Sequence, residues 1–137
     1  MQLICDQTVA LAYKSASQRA RVISESWFGE NAYCLACSSE SLNRSAPNTV
    51  ATDFSCDSCG HLYELKTFLQ RPFKSLVDGA YASLMRRITA NAAPTLCLLE
   101  RNENWVVTSL TAIHSSFLTP FVVEQRRPLG PSARRAG

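Results

Sequence analysis

Residues 33–66 read YCLACSSESLNRSAPNTVATDFSCDSCGHLYELK, and two signals interlock in this stretch. The first is a pair of Cys-x-x-Cys turns, Cys34/Cys37 and Cys56/Cys59, separated by eighteen residues. That spacing suits a four-cysteine zinc site. Zinc takes four thiolates in a tetrahedron, and each turn presents two sulfurs on one side of a tight backbone knuckle. Gly60, directly after Cys59, supplies the left-handed conformation that often closes such a knuckle. Four thiolates leave no coordination position for water, so the zinc is expected to be structural. His61 then stays outside the shell.

The second signal is Asp53 followed by the triplet Glu64-Leu65-Lys66. Residues 49–55 and 61–68 alternate and are expected to pair as an antiparallel hairpin. Glu64 and Lys66 would then share one face, Leu65 would point into the core, and Asp53 would approach Glu64 from the neighbouring strand. Two carboxylates with the Leu65 carbonyl beside them are hard oxygen ligands for magnesium or manganese. A divalent cation there acidifies water and offsets charge at a phosphorus, and Lys66 could position the attacking water. The chemistry implied is phosphodiester hydrolysis. An Asp followed by Glu-x-Lys is common by itself, and its bland counterpart is an exposed strand with a Glu/Lys pair. The zinc knuckle that ties the two strands together is what gives the pattern weight here.

Outside this stretch, 137 residues with 46% apolar and 18% charged content fit one globular domain. The net charge is only +3, but eleven Arg stand against three Lys. Arginine's planar fork suits phosphates and guanine edges, which leans toward a nucleic-acid partner. GC-rich coding produces the same bias. No apolar run is long enough to span a membrane, and the N-terminus lacks a basic signal region, so reduced thiolates in the cytoplasm are expected. Cys5 and Cys97 lie outside the zinc pattern and are expected to act as small core residues.

Residues 3–28 are expected to be helical, as two helices broken near Ser15. In the second, Ala20, Ile23 and Trp27 recur at helical spacing, while Arg19, Arg21, Ser24 and Glu25 mark a polar face. Glu25 reads as solvated. The alternative is the N-terminal helical glutamate that some metal-dependent nucleases place near the site. Residues 33–48 read as a loop region, and residues 75–91 as an amphipathic helix with Leu76, Ala80, Leu84 and Ile88 on its apolar face. Residues 96–99 and 105–110 form two further strands joined at residues 101–104. Residues 117–123 are ambiguous because Pro120 interrupts them. The chain is therefore expected to be α/β, a small mixed sheet flanked by helices with a four-cysteine zinc-bound loop subdomain.

The residues also resemble a known family. The stretch Tyr13–Arg21 (YKSASQRAR), the paired knuckles, DFSCDSC leading into ELK, Asp78–Arg87 (DGAYASLMRR) and the closing QRRPLGPSARRAG are similar to the catalytic domain of the DpnI and Dam-replacing family of methyl-directed restriction endonucleases, within the PD-(D/E)XK nucleases. The resemblance covers essentially the whole chain. It implies a PD-(D/E)XK fold, a catalytic set of Asp53, Glu64 and Lys66, magnesium held by Asp53, Glu64 and the Leu65 carbonyl, and zinc on Cys34, Cys37, Cys56 and Cys59. The substrate it implies is double-stranded DNA methylated on the adenine of GATC. Thr52 stands where the superfamily often has proline.

Residues 1–125 would be the nuclease domain, with the zinc ribbon at 33–60. Residues 126–137 would be a basic tail leading to the winged-helix domain that family members carry and this chain does not include. Arg126, Arg127, Arg134 and Arg135 are the expected phosphate contacts. Oligomeric state is left open. A different class of function, a non-catalytic zinc-containing DNA-binding module with a vestigial nuclease site, predicts that Asp53→Ala changes neither binding nor cleavage.

Overall fold

A computed structural model describes residues 2–46, 52–69, 74–77 and 81–127. Among them are five strands, β1 (Asn43–Arg44), β2 (Phe54–Ser55), β3 (Leu62–Phe68), β4 (Thr95–Arg101) and β5 (Val107–Ile113), and two α-helices, α1 (Ala16–Asn31) and α2 (Tyr81–Thr89). The strands form one mixed sheet in the order β1-β2-β3-β4-β5. The β3–β4 pair is parallel and the other pairs are antiparallel. Parallel neighbours need a long crossover, and the connection from β3 to β4 carries α2.

The central strand β4 (TLCLLER) is buried at all but one position, as expected for a strand covered on both faces. Helix α1 lies on one face of the sheet. Its Ile23, Trp27 and Phe28 join Phe54, Tyr63, Cys97, Leu99 and Val107 in a single core. The Phe28 and Phe54 rings meet with centroids 4.9 Å apart. Gly29 permits that approach, since a Cβ there would stand 3.3 Å from the Phe54 ring. Ser24 reaches across to Thr67 of β3 at 3.0 Å, so the polar side chains between helix and sheet are satisfied.

The antiparallel hairpin expected around residues 49–68 is present, with Phe54 opposite Tyr63 and Ser55 opposite Leu62. Its first strand is short, and residues 47–51 lie outside the described residues. The strands expected at 96–99 and 105–110 are both there: β4 is longer, at Thr95–Arg101, while β5 is shifted to Val107–Ile113, so Trp105 falls in the connection at 102–106 and Arg101 in β4. Within the loop region at 33–48, Asn43–Arg44 adds the edge strand β1.

Two helical expectations need correction. Residues 3–14 do not form a helix. Leu3 accepts a hydrogen bond from the Val107 N–H, Cys5 donates to the Trp105 carbonyl, and only Thr8–Ala10 makes a single 3-10 turn. An extended segment satisfies backbone groups at the start of β5, which local propensity could not anticipate. Both tryptophans hold this segment: the Trp27 indole donates to the Gln2 carbonyl at 2.6 Å, and Trp105 is backbone-paired with Cys5. The second correction concerns residues 75–91. Residues 75–77 are not helical, and α2 is described from Tyr81. It ends where Asn91 takes φ 52° and the Ala92 N–H returns to the Arg87 carbonyl at 2.8 Å, a left-handed helix stop.

Cys5 and Cys97 are core residues, each 2% exposed. Burial pushes the Cys97 thiol up to about 12 from an ordinary value of 9.0. Below pH about 9 the thiol is neutral in both folded and unfolded chains, whereas between about 9 and 12 only the unfolded chain ionises. Stability should therefore fall as pH rises through that window, by up to ~1.4 kcal/mol per pH unit from this group. Urea unfolding of Cys97→Ala from pH 8 to 10.5 should show a shallower alkaline decline than the parent. An identical slope would remove Cys97 as its source.

Candidate functional site

Cys34, Cys37, Cys56 and Cys59 converge, with their four sulfurs all within 4.8 Å of one another. Among the described residues this is the one group of three or more His, Cys, Asp or Glu side chains that closes so tightly. Four clustered thiols of this kind can hold a metal ion such as zinc. Gly60 takes φ +72° and its N–H bonds the Cys56 carbonyl at 2.8 Å, closing the second knuckle as expected. His61 stays outside: its Nε2 lies 2.7 Å from the Thr95 hydroxyl and its ring stacks on His114.

Tyr63 joins the sulfur cluster to the sheet. Its hydroxyl lies 3.2 Å from Cys34 Sγ and accepts from the Leu35 N–H at 2.9 Å. Burial opposes ionisation of the Cys34 thiol, but the Tyr63 hydroxyl, the Ala36 N–H and the neighbouring thiols hold it at about 6. At Cys59, a backbone hydrogen bond from His61 favours the thiolate, yet burial and three crowding sulfurs push it up to about 12. Four sulfurs this close cannot all ionise without a cation among them, and a bound divalent ion would supply that charge.

Along β3 the side chains alternate as expected. Glu64 and Lys66 share a face, with Lys66 Nζ 2.6 Å from Glu64 Oε1, while Leu65 packs against the core. Asp53 immediately precedes β2, and its N–H bonds the Tyr63 carbonyl at 3.0 Å. Beyond that point β2 no longer pairs with β3. The Asp53 carboxylate takes over, accepting the Leu65 N–H on Oδ2 at 2.8 Å. The carboxylate is thereby fixed beside the Glu64-Leu65-Lys66 triplet. Burial raises the Asp53 pKa above its ordinary value; the Leu65 N–H opposes this, Glu25 adds to it, and Arg21 and Lys66 lower it.

Glu25, expected to be solvated with a place near the site as the alternative, is buried beside Asp53's partner Arg21. Instead of facing solvent, Glu25 is 6% exposed and receives hydrogen bonds from the guanidiniums of both Arg21 and Arg44. Arg21 also reaches Asp53 Oδ1 at 3.4 Å. Arg21 and Glu25 are one helical turn apart on α1, a spacing visible in the sequence. Arg44 comes from β1, inside a stretch without periodicity, so its approach was not. Tyr13, Gln18, Arg21, Glu25, Arg44 and Asp53 all line one cleft of about 620 Å³. Arg126 and Arg127 are exposed and are not among its lining residues, and Arg134 and Arg135 lie outside the described residues. On α2, Arg87 Nη1 donates to the hydroxyl of Thr52, the residue before Asp53, at 3.1 Å.

No described helix is long and apolar enough to cross a membrane. Compared with known families, residues 1–137 match the family described as DpnI: Dam-replacing family.

Proposed function

The chain belongs to the Dam-replacing family, whose members are restriction endonucleases, and we propose that it hydrolyses duplex DNA at GATC sites carrying N6-methyladenine. The sheet is read as a PD-(D/E)XK nuclease fold spanning residues 1–125, with the ribbon at 33–60 and a basic tail at 126–137. Asp53, Glu64 and Lys66 form the catalytic set. The single observation that carries this reading is the Asp53 carboxylate pinned on the Leu65 N–H, beside the ion pair of Glu64 and Lys66.

Magnesium or manganese fits this arrangement. The donors are carboxylate oxygens and a backbone carbonyl, all hard ligands. Asp53 is largely buried, and with Glu25 close by its charge calls for a cation. Asp53, Glu64 and the Leu65 carbonyl would hold the ion, which when bound acidifies water and offsets negative charge at phosphorus. The chain's own groups do the rest. The Leu65 N–H fixes the Asp53 carboxylate, so no reorganisation is needed when substrate arrives. The Lys66 ammonium, oriented by Glu64, directs the attacking water and stabilises charge developing on the phosphate oxygens. The four cysteines hold structural zinc and keep the segment bearing Asp53, just ahead of β2, in register with the strand bearing Glu64.

The test is plasmid cleavage by this 137-residue chain. DNA from a Dam-methylating host should be cut in magnesium, spared in chelator, and cut far more slowly when taken from a non-methylating host. Equal inertness on every DNA, at high protein and low salt, would favour the zinc-containing binding module instead.

A further inference from the structure

Glu25, Arg21 and Arg44 are not explained by holding a metal or activating water. Two guanidiniums from different elements converge on the buried Glu25 carboxylate, and one of them, Arg21, also reaches Asp53. Both guanidiniums stay accessible: the Arg21 side chain is 65% exposed and that of Arg44 50%, against 7% for Glu25. Each guanidinium carries five N–H donors. Arg21 spends Nε on Glu25 and Nη2 on Asp53, and Arg44 spends Nη2 on Glu25. The remaining donors belong to exposed groups on the cleft that contains Asp53.

We propose that Glu25 is a positioning residue that fixes Arg21 and Arg44 as a two-guanidinium clamp for the DNA backbone phosphates flanking the scissile bond. This rests on the nuclease reading for its substrate, but it assigns the phosphate contacts to the cleft rather than to the C-terminal arginines. A guanidinium already held on one edge loses less side-chain freedom when the other edge engages phosphate. Planar forks also recognise phosphate in two-point fashion, which fixes the register of the strand over Asp53.

The distinguishing experiment is duplex-DNA binding by fluorescence anisotropy in calcium, which reads affinity apart from cutting, over a series of salt concentrations. Glu25→Gln is the decisive variant, because it removes a buried negative charge from beneath the two exposed arginines. Charge counting alone predicts tighter binding. The clamp predicts binding weaker by about five-fold, since each arginine loses a charge-assisted anchor. Arg21→Gln with Arg44→Gln should flatten the slope of log affinity against log salt by about 1.8, two phosphate contacts' worth. Thermal melts and zinc content check folding; if Glu25→Gln is misfolded, the exposed Arg44→Gln variant decides, with an expected slope change of about 0.9. Glu25→Gln binding as tightly as the parent or tighter, an unchanged slope in Arg44→Gln, or no DNA binding by the parent would each overturn the clamp. DNA that is bound through these arginines yet never cut in magnesium would leave the clamp standing and remove the nuclease reading.

Discussion

Asp53→Asn is expected to lower the rate of DNA cleavage by about a hundred- to a thousandfold, the loss typical of removing one preorganised charge-stabilising group, while leaving the fold intact. The substitution is nearly isosteric, and the amide oxygen of asparagine can still accept the Leu65 N–H that Asp53 Oδ2 now takes at 2.8 Å. What disappears is the negative charge. Burial and the nearby Glu25 already disfavour that charge, holding the Asp53 carboxyl above its ordinary range. The variant should therefore melt at the same temperature as the parent or slightly higher, the usual trade between stability and activity. Single-turnover cleavage and a thermal melt on the same preparation check both halves. Near-parent cleavage would dismiss Asp53 as a catalytic group, and a large drop in melting temperature would mark it as a structural residue instead.

With zinc on the four-cysteine cluster as proposed, its removal should have the largest effect on the fold. Structural zinc in small domains binds with about 10–16 kcal/mol, comparable to or larger than the ~5–15 kcal/mol that keeps a domain folded. Cys34 and Cys56 are 2% and 1% exposed and belong to the main core, and Cys34 meets Tyr63 of β3. The sulfur cluster is thus continuous with the sheet rather than an appendage. Cys56→Ser should bind less than one zinc per chain and lose most of its cooperative melting transition, and a strong chelator should do the same to the parent. Colorimetric zinc release on thiol titration, followed alongside circular dichroism, gives both readings. A chain that keeps its cooperative transition after complete metal loss would show that the sheet stands without the ribbon.

The parts of this molecule that the sequence revealed are those governed by short-range rules. The Cys-x-x-Cys knuckles, the left-handed Gly60 and the alternation in β3 each follow from a few adjacent residues, and the sulfur cluster and the Glu64/Lys66 pair appear where those rules put them. Where a long-range contact decides, local pattern failed. Residues 3–5 fall inside a span expected to be helical, but the Leu3 carbonyl accepts the Val107 N–H and the Cys5 N–H donates to the Trp105 carbonyl, which holds that backbone in extended form. Glu25 looked solvated because its helical neighbours are polar. Only the packing of α1 on the sheet, together with Arg44 arriving from β1, turns that face inward. The cleft combines residues from three separate stretches of chain, and no periodicity in any one of them announces it.

The hold of both tryptophans on residues 2–5, Trp27 through its indole and Trp105 through its backbone carbonyl, gives the protein a built-in optical probe. Trp27 and Trp105 are the chain's two tryptophans, one hydrogen-bonded to the Gln2 carbonyl and the other backbone-paired with Cys5, with the Arg101 guanidinium 3.4 Å from the Trp105 ring centre. Peeling the leading peptide away would alter the surroundings of both fluorophores at once. Emission wavelength would then follow detachment of that peptide in mild denaturant, separately from the far-ultraviolet signal of the sheet.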